Sequence, residues 1–256
     1  MLYTIYPRPI FKKLLKSKTI HLFMKILITG SSGFIGKELV NHLSKKHEIV
    51  EYDLANGQDI LDYSQLKKAM KGCDVAVHLA AHRKPYEDKT FKDYFETNCQ
   101  GTFNIAQASM ECNVKRLIYT SSTSYYGIEE GIPFVKPIKE SNPVLTQHVK
   151  IEDLKCRACD IAYSTSKVIS EQILANYGLT KKMEVIILRF GPTRKKGEYR
   201  PFGDLKLHLK IENALQILES AINTDKKLWY EAFTVMDDIN GVDISKAKKI
   251  LNYKPI

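Results

Sequence analysis

The chain has 256 residues, 44% of them apolar, a formal net charge of +10 and five cysteines. That length suits one large domain, or one domain with a small lobe. No stretch approaches the roughly 20 apolar residues that span a bilayer, so no membrane partner is expected. An odd, small set of cysteines is not a disulfide framework, which points to a reducing, cytoplasmic setting. The charge excess invites a nucleic-acid reading, but its distribution argues against one. Arg8, Lys12, Lys13, Lys16 and Lys18 lie in the first 23 residues, which hold no acid, and the remainder carries only +5. Residues 1–23 read as a basic extension. A targeting peptide or an arm for anionic partners is considered, but a poorly ordered extension, or an upstream start ahead of Met24, is favoured.

Residues 25–28, Lys-Ile-Leu-Ile, have the apolar, β-branched character of a buried parallel strand. Thr29-Gly30-Ser31-Ser32-Gly33 then turns the chain, and residues 34–43 carry a helical apolar pattern. A helix N-terminus offers unpaired N–H groups and positive dipole density, and glycine admits a diphosphate without a Cβ in the way. Gly30, Ser32, Gly33, Phe34 and Ile35 are therefore candidate cofactor ligands, because strand and helix flank the turn as the motif demands. The second strand, 48–53, ends in Asp53, 20 residues beyond Gly33. A carboxylate there hydrogen-bonds the adenosine ribose and repels a 2′-phosphate, which favours NAD over NADP.

A polar helix is expected over about 63–71. A third strand over 73–81 runs into small residues that leave room for a cofactor. His78 within it reads as a packed strand histidine, and His82, Arg83 and Lys84 open a loop towards substrate. One long helix over 90–112 and a fourth strand over 115–122, ending in a hydroxyl cluster, come next. Residues 127–160 are loop-rich. A helix over about 162–177 is expected to close on Gly178 as its cap, before a fifth strand over 183–189. An amphipathic helix over 211–223, a short strand over 232–236 and a last helix over 245–251, capped by Asp243, complete the chain. This alternation implies an α/β fold with a doubly wound parallel sheet. It forms a single domain over 24–256, with substrate-lobe elements from about 190.

Tyr163 and Lys167, four residues apart, share a helical face. A tyrosine titrates near ~10, and a neighbouring ammonium favours the phenolate, so the pair can move a proton on a substrate hydroxyl. Ser122, at the end of the fourth strand, supplies a hydroxyl for the same substrate oxygen.

Thr29-Gly-Ser-Ser-Gly-Phe-Ile-Gly36, His78-Leu-Ala-Ala81, Asn98-Cys-Gln-Gly-Thr102, Thr120-Ser-Ser-Thr-Ser-Tyr-Tyr-Gly127, Tyr163 to Lys167 and Leu188-Arg-Phe190 occur in order. Together they resemble the landmarks of extended short-chain dehydrogenases/reductases of the NAD-dependent epimerase/dehydratase family. The resemblance implies a Rossmann-like fold, NAD as cofactor, a sugar or nucleotide sugar as substrate, and a homodimer built from the helices near 90–112 and 163–177. It implies that Tyr163 is the catalytic base, Lys167 its tuner and nicotinamide-ribose ligand, and Ser122 the substrate-oxygen partner. It further implies that Asp59 and Ile60 flank the adenine. Leu79, Ala80, Ala81 and Pro192 would border the cofactor, with Asn98 in the supporting network near the lysine.

Departures from the family pattern narrow the function. Thr123 and Ser124 stand where dehydratases carry an acid, which argues against a 4,6-dehydratase. Arg189-Phe-Gly-Pro-Thr-Arg194 lacks the asparagine that helps nucleotide-sugar enzymes hold a diphosphate, and the C-terminal lobe is short. Compact relatives with this layout include uronate dehydrogenase. Arg194, Lys195, Lys196 and Arg200 read equally as an anion site and as a solvated run. Residues 148–160, with His148, Cys156 and Cys159, hold too few ligands for a zinc site and read as a lid or selectivity loop. The leading function is a sugar or nucleotide-sugar epimerase or oxidoreductase. A dehydrogenase of a free sugar acid is one alternative. A catalytically silent dinucleotide-binding regulator is the other, and the intact Ser122, Tyr163 and Lys167 set argues against it.

Overall fold

A computed structural model describes residues 23–83, 89–127, 135–144, 158–194 and 207–256. The extension before Phe23, Lys84, most of the 148–160 insertion, Lys195, Lys196 and Arg200 lie outside the described residues. Strand β1 (Lys25–Thr29) leads to helix α1 (Phe34–Leu43), β2 (Glu48–Tyr52), α2 (Tyr63–Met70) and β3 (Val75–His78). A helical run then comprises α3 (Phe91–Tyr94), a π-helical segment (Phe95–Gln100) and α4 (Gly101–Glu111). After it come β4 (Arg116–Ser122), α5 (Ala158–Leu179), β5 (Glu184–Phe190), β6 (Thr193–Arg194), β7 (Leu209–Lys210), α6 (Ile211–Asn223), β8 (Glu231–Val235) and α7 (Ser245–Leu251).

Six strands form one sheet in the order β2-β1-β3-β4-β5-β8, every pairing parallel. β6 and β7 pair separately. Successive strand residues point to opposite faces, and both faces are covered. Ile26, Ile28, Val75, Val77, Ile118, Ile186 and Leu188 pack under α1, α6 and α7. Leu27, Ala76, Leu117, Val185 and Ile187 pack under α2, α4 and α5. That double burial is why these strands read as continuous apolar runs rather than alternating ones. β1 lies between β2 and β3, so the chain reverses direction across the sheet there, and a crevice opens at the carboxyl ends of the strands.

Two expectations are corrected. The helix expected over 90–112 is interrupted by six π-helical residues, because Asn98 and Cys99 turn inward to bond with α5, described below. Gly178 is not a left-handed cap but lies within α5. A Cβ there would sit 2.1 Å from the Trp229 carbonyl oxygen, so glycine is required by close packing. The left-handed residue after the helix is Lys181, φ 55°. Asp243 does accept the Ser245 N–H at the start of α7, at 2.9 Å.

Candidate active site

The turn between β1 and α1 is fixed by contact with the chain just past β3. Gly30 has φ +71°, and a Cβ on it would lie 2.7 Å from the Ala80 nitrogen. The N-cap of α1 is Gly33, with no side-chain cap and no acid in the first turn. The first N–H groups of the helix thus have no capping side chain and open on the cleft. Asp53, just past β2, accepts the Ser32 N–H at 3.0 Å and the Ala55 N–H at 2.8 Å. Its carboxylate joins the glycine turn to the loop after β2 and retains acceptor capacity. Asp59 accepts the Leu61 N–H at 2.9 Å.

His78 is packed in the sheet, as expected. It bonds Thr29 Oγ1 at 2.7 Å and Thr102 Oγ1 at 3.1 Å. Burial, with Lys167 nearby, lowers its pKa to about 3, so it stays neutral. β3 ends there, and Leu79, Ala80 and Ala81 continue as irregular chain lining the cleft. Asn98, buried in the π-helical segment, clamps the next residue. Its Oδ1 accepts the His82 N–H at 2.7 Å, and its Nδ2 donates to the His82 carbonyl at 3.0 Å and to Ser166 Oγ at 2.8 Å. One amide therefore joins the loop after β3 to α5.

Ser122 is the last residue of β4 and accepts the Ser124 N–H at 3.1 Å. Tyr163 and Lys167 project from α5. Lys167 Nζ donates to the Thr120 carbonyl at 3.0 Å and lies 4.8 Å from the Tyr119 ring centroid and 5.7 Å from that of Tyr163. Burial lowers the Lys167 pKa to about 8, and the Glu171 carboxylate opposes that shift. Glu171, one turn on and fully buried, pairs with Arg189 of β5 at 2.8 Å and accepts the Ser121 hydroxyl at 2.6 Å. Arg189 stacks 3.5 Å over the Tyr125 ring and donates to Tyr126 Oη at 3.0 Å.

One cleft of about 1040 Å³ connects these groups. It runs from Gly30, Ser32, Gly33, Phe34 and Ile35, past Asp53, Asp59, Ile60, Leu79, Ala80 and Ala81, to Ser122, Tyr163, Lys167 and Pro192. Every site residue expected from the sequence lines it except Asn98, which stands behind the wall. His82 and Arg83 line it as well. A dinucleotide fits these residues. The glycine turn is a cradle that a Cβ would fill, the helix end suits a diphosphate, and a carboxylate stands where a ribose diol would lie. The sequence reading missed Glu171, Arg189 and Ser121. The only local signals were an acid four residues beyond Lys167 and an arginine inside an apolar strand. Among the described residues, no three His, Cys, Asp or Glu side chains gather as metal ligands. Nor is any helix long and apolar enough to cross a membrane.

The UDP-glucose 4-epimerase of Vibrio cholerae is 29% identical over 259 residues, covering 88% of this chain and 73% of that protein. The L-arabinose 1-dehydrogenase (NAD(P)(+)) of Haloferax volcanii is 26% identical over 174 residues, covering 65% of this chain and 66% of that protein. Other curated relatives are matched over as little as 35% of their length. Among solved structures, a mutated uronate dehydrogenase superposes with a TM-score of 0.69 at 17% identity, over 92% of this chain and 82% of that one, which shows the shared fold. The profile of the NAD dependent epimerase/dehydratase family matches residues 26–237, and the chain belongs to that family.

Proposed function

We propose that this chain binds NAD along the cleft and catalyses oxidoreduction at a hydroxyl-bearing carbon of a sugar or nucleotide sugar. The observation that carries this reading is the meeting of Ser122, Tyr163 and Lys167 on the wall of the cleft that begins at the glycine turn. Asp53 would accept from the ribose hydroxyls, and the first N–H groups of α1 would face the diphosphate. NAD, when bound, supplies the hydride acceptor. Tyr163 takes the proton from the substrate hydroxyl, and the Lys167 ammonium favours its phenolate form. Ser122 holds the same oxygen. Ala80 and Ala81, with their small side chains, leave room for the cofactor.

An epimerase and a dehydrogenase share these steps and differ in whether the hydride is returned. Incubation with NAD and a panel of sugars and nucleotide sugars separates them. Growth of reduced-nicotinamide absorbance indicates a dehydrogenase. A changed sugar configuration by NMR without that growth indicates an epimerase. Neither change with any sugar, despite tight NAD binding, would favour a silent regulator. A free sugar acid is the second reading. Gly191-Pro192 in place of the usual asparagine and the resemblance to a dehydrogenase of a free pentose both favour a substrate without a nucleotide.

A homodimer belongs to the same proposal. Phe91, Phe95 and Phe103 are exposed on α3, the π-helical segment and α4, with the Phe103 ring 6.4 Å from that of Tyr177 on α5. Light scattering should give twice the chain mass, and Phe95→Lys with Phe103→Lys should give the monomer. The thiols Cys73, Cys99 and Cys112 are free, in keeping with the proposed cytoplasmic setting.

A further inference from the structure

The strands of the main sheet are all parallel, so every connection from a helix into a strand lies at the same edge, opposite the cleft. Each of those five connections carries exposed lysine: Lys45-Lys46, Lys71, Lys115, Lys181-Lys182 and Lys226-Lys227. Among the described residues, Lys46 pairs with Glu219 and Lys115 with Asp74, while both lysine pairs nearest β5 and β8 form no ion pair. Two of the most exposed apolar side chains stand on the same edge. Phe23, 71% exposed, enters β1, and Leu179, 74% exposed, ends α5. Lys227 lies 5.7 Å over the Trp229 ring there. The sequence before Phe23 holds five basic residues and no acid.

We propose that this edge docks on an anionic lipid bilayer surface. Lysines spread over five loops form a broad basic face, and a juxtaposed bilayer attracts such a face through its surface potential. In the five described connections the exposed cations are all lysine, a compact charge on a flexible stem, rather than the arginine forks favoured in nucleic-acid contacts. Phe23 and Leu179 would gain at the boundary between headgroups and acyl chains, where interfacial proteins bury such side chains. β4 and β5 are seven residues long. At ~3.3 Å per residue they hold the cleft about 20 Å from the bilayer, facing the aqueous phase. The absence of a spanning segment, which led the sequence reading to expect no membrane partner, does not bear on a peripheral contact of this kind.

The test is sedimentation of the full chain with vesicles of phosphatidylcholine alone, or of equal parts phosphatidylcholine and phosphatidylglycerol. The expected result is binding to the anionic vesicles only, weakened by salt. The variant Lys181→Glu/Lys182→Glu/Lys226→Glu/Lys227→Glu should lose at least about tenfold in partition. A control with the same charge change at the cleft edge, Lys37→Glu/Lys92→Glu/Lys136→Glu/Lys139→Glu, should keep its partition. Glutamine at the same four edge positions repeats the test should the glutamate set fail to fold. An equal loss in both variants would reduce the effect to net charge, and no loss in the edge variant would leave binding to the basic extension; either overturns the proposal. So does wild-type protein that binds a DNA duplex and ignores the vesicles. None of these readouts depends on turnover, so the test stands apart from the catalytic reading.

Discussion

Arg116–Glu184 and Arg189–Glu171 are both buried arginine–glutamate pairs with 2.8 Å contacts, and they stand at opposite ends of the same sheet. Arg116 also donates to the Ala221, Ile222 and Thr224 carbonyls, so its guanidinium closes the C-terminus of α6. Glu184 completes that arrangement by accepting the Leu228 N–H at 3.1 Å. Nothing around this pair touches the cleft. At the other end, Glu171 shares α5 with Tyr163 and Lys167, and its partner is fixed by Tyr125, Tyr126 and the Glu140 carbonyl. The same ion pair thus serves architecture at the strand entrances and sets the electrostatics of a lysine at the strand exits. The buried environment, rather than the pair itself, decides which role it has.

Substitutions separate the two pairs. The largest effect is expected from Lys167→Met, which under the proposed mechanism removes the charge that supports the Tyr163 phenolate. Turnover should fall by about 10²–10⁴, and the fold should persist, because a buried charge is replaced by an apolar chain of similar length. Next come Glu171→Gln and Glu184→Gln. Each leaves a buried guanidinium without its counter-charge and should destabilise by about 3–5 kcal/mol, read by denaturant unfolding. They should part company in the pH dependence of residual turnover. Glu171 supports the Lys167 cation, so its loss moves the alkaline limb to lower pH, while Glu184→Gln leaves the limb in place. A shift in both variants would erase the distinction between the two pairs.

The wild-type pH dependence gives a further test, with opposite signs for activity and stability. Lys167 is cationic below about 8 in the folded chain, against an ordinary value of 10.5. Turnover that needs the cation should therefore decline as pH rises above about 8. Between about 8 and 10.5 the unfolded chain holds the proton more firmly, so this group's contribution to stability rises with pH across that window. The smallest effect is expected at the surface of the strand-entrance end. Lys46→Ala removes a partly exposed pair with Glu219, which keeps His42 as a second partner, and should change stability by about 1 kcal/mol or less.

Much of the fold and the cleft wall was legible in the sequence because the signals are local. The β1–α1 turn needs glycine at fixed places, Asp53 follows at a fixed distance, and Tyr163 and Lys167 share one helical face. α1 and α6 have the expected bounds because each shows an apolar stripe at helical spacing. What escaped was set by tertiary contact. The π-helical segment has no periodicity of its own and is explained only by Asn98 reaching His82 and Ser166. The Glu171–Arg189 pair joins residues 18 apart in sequence across a strand and a helix. Gly178 looked like a helix cap because the Trp229 backbone that presses on it comes from a distant loop. The lysines of the strand-entrance edge were visible one by one, but only the parallel topology gathers them on one face.

The proposed function requires that the cleft bind NAD and that Tyr163 transfer the proton there. The direct measurement is NAD titration calorimetry alongside sugar-dependent turnover, on wild type and Tyr163→Phe in parallel preparations. NAD affinity should be nearly equal in the two proteins, with turnover abolished in the variant. Retained turnover in Tyr163→Phe, or no NAD binding by wild type, would contradict it.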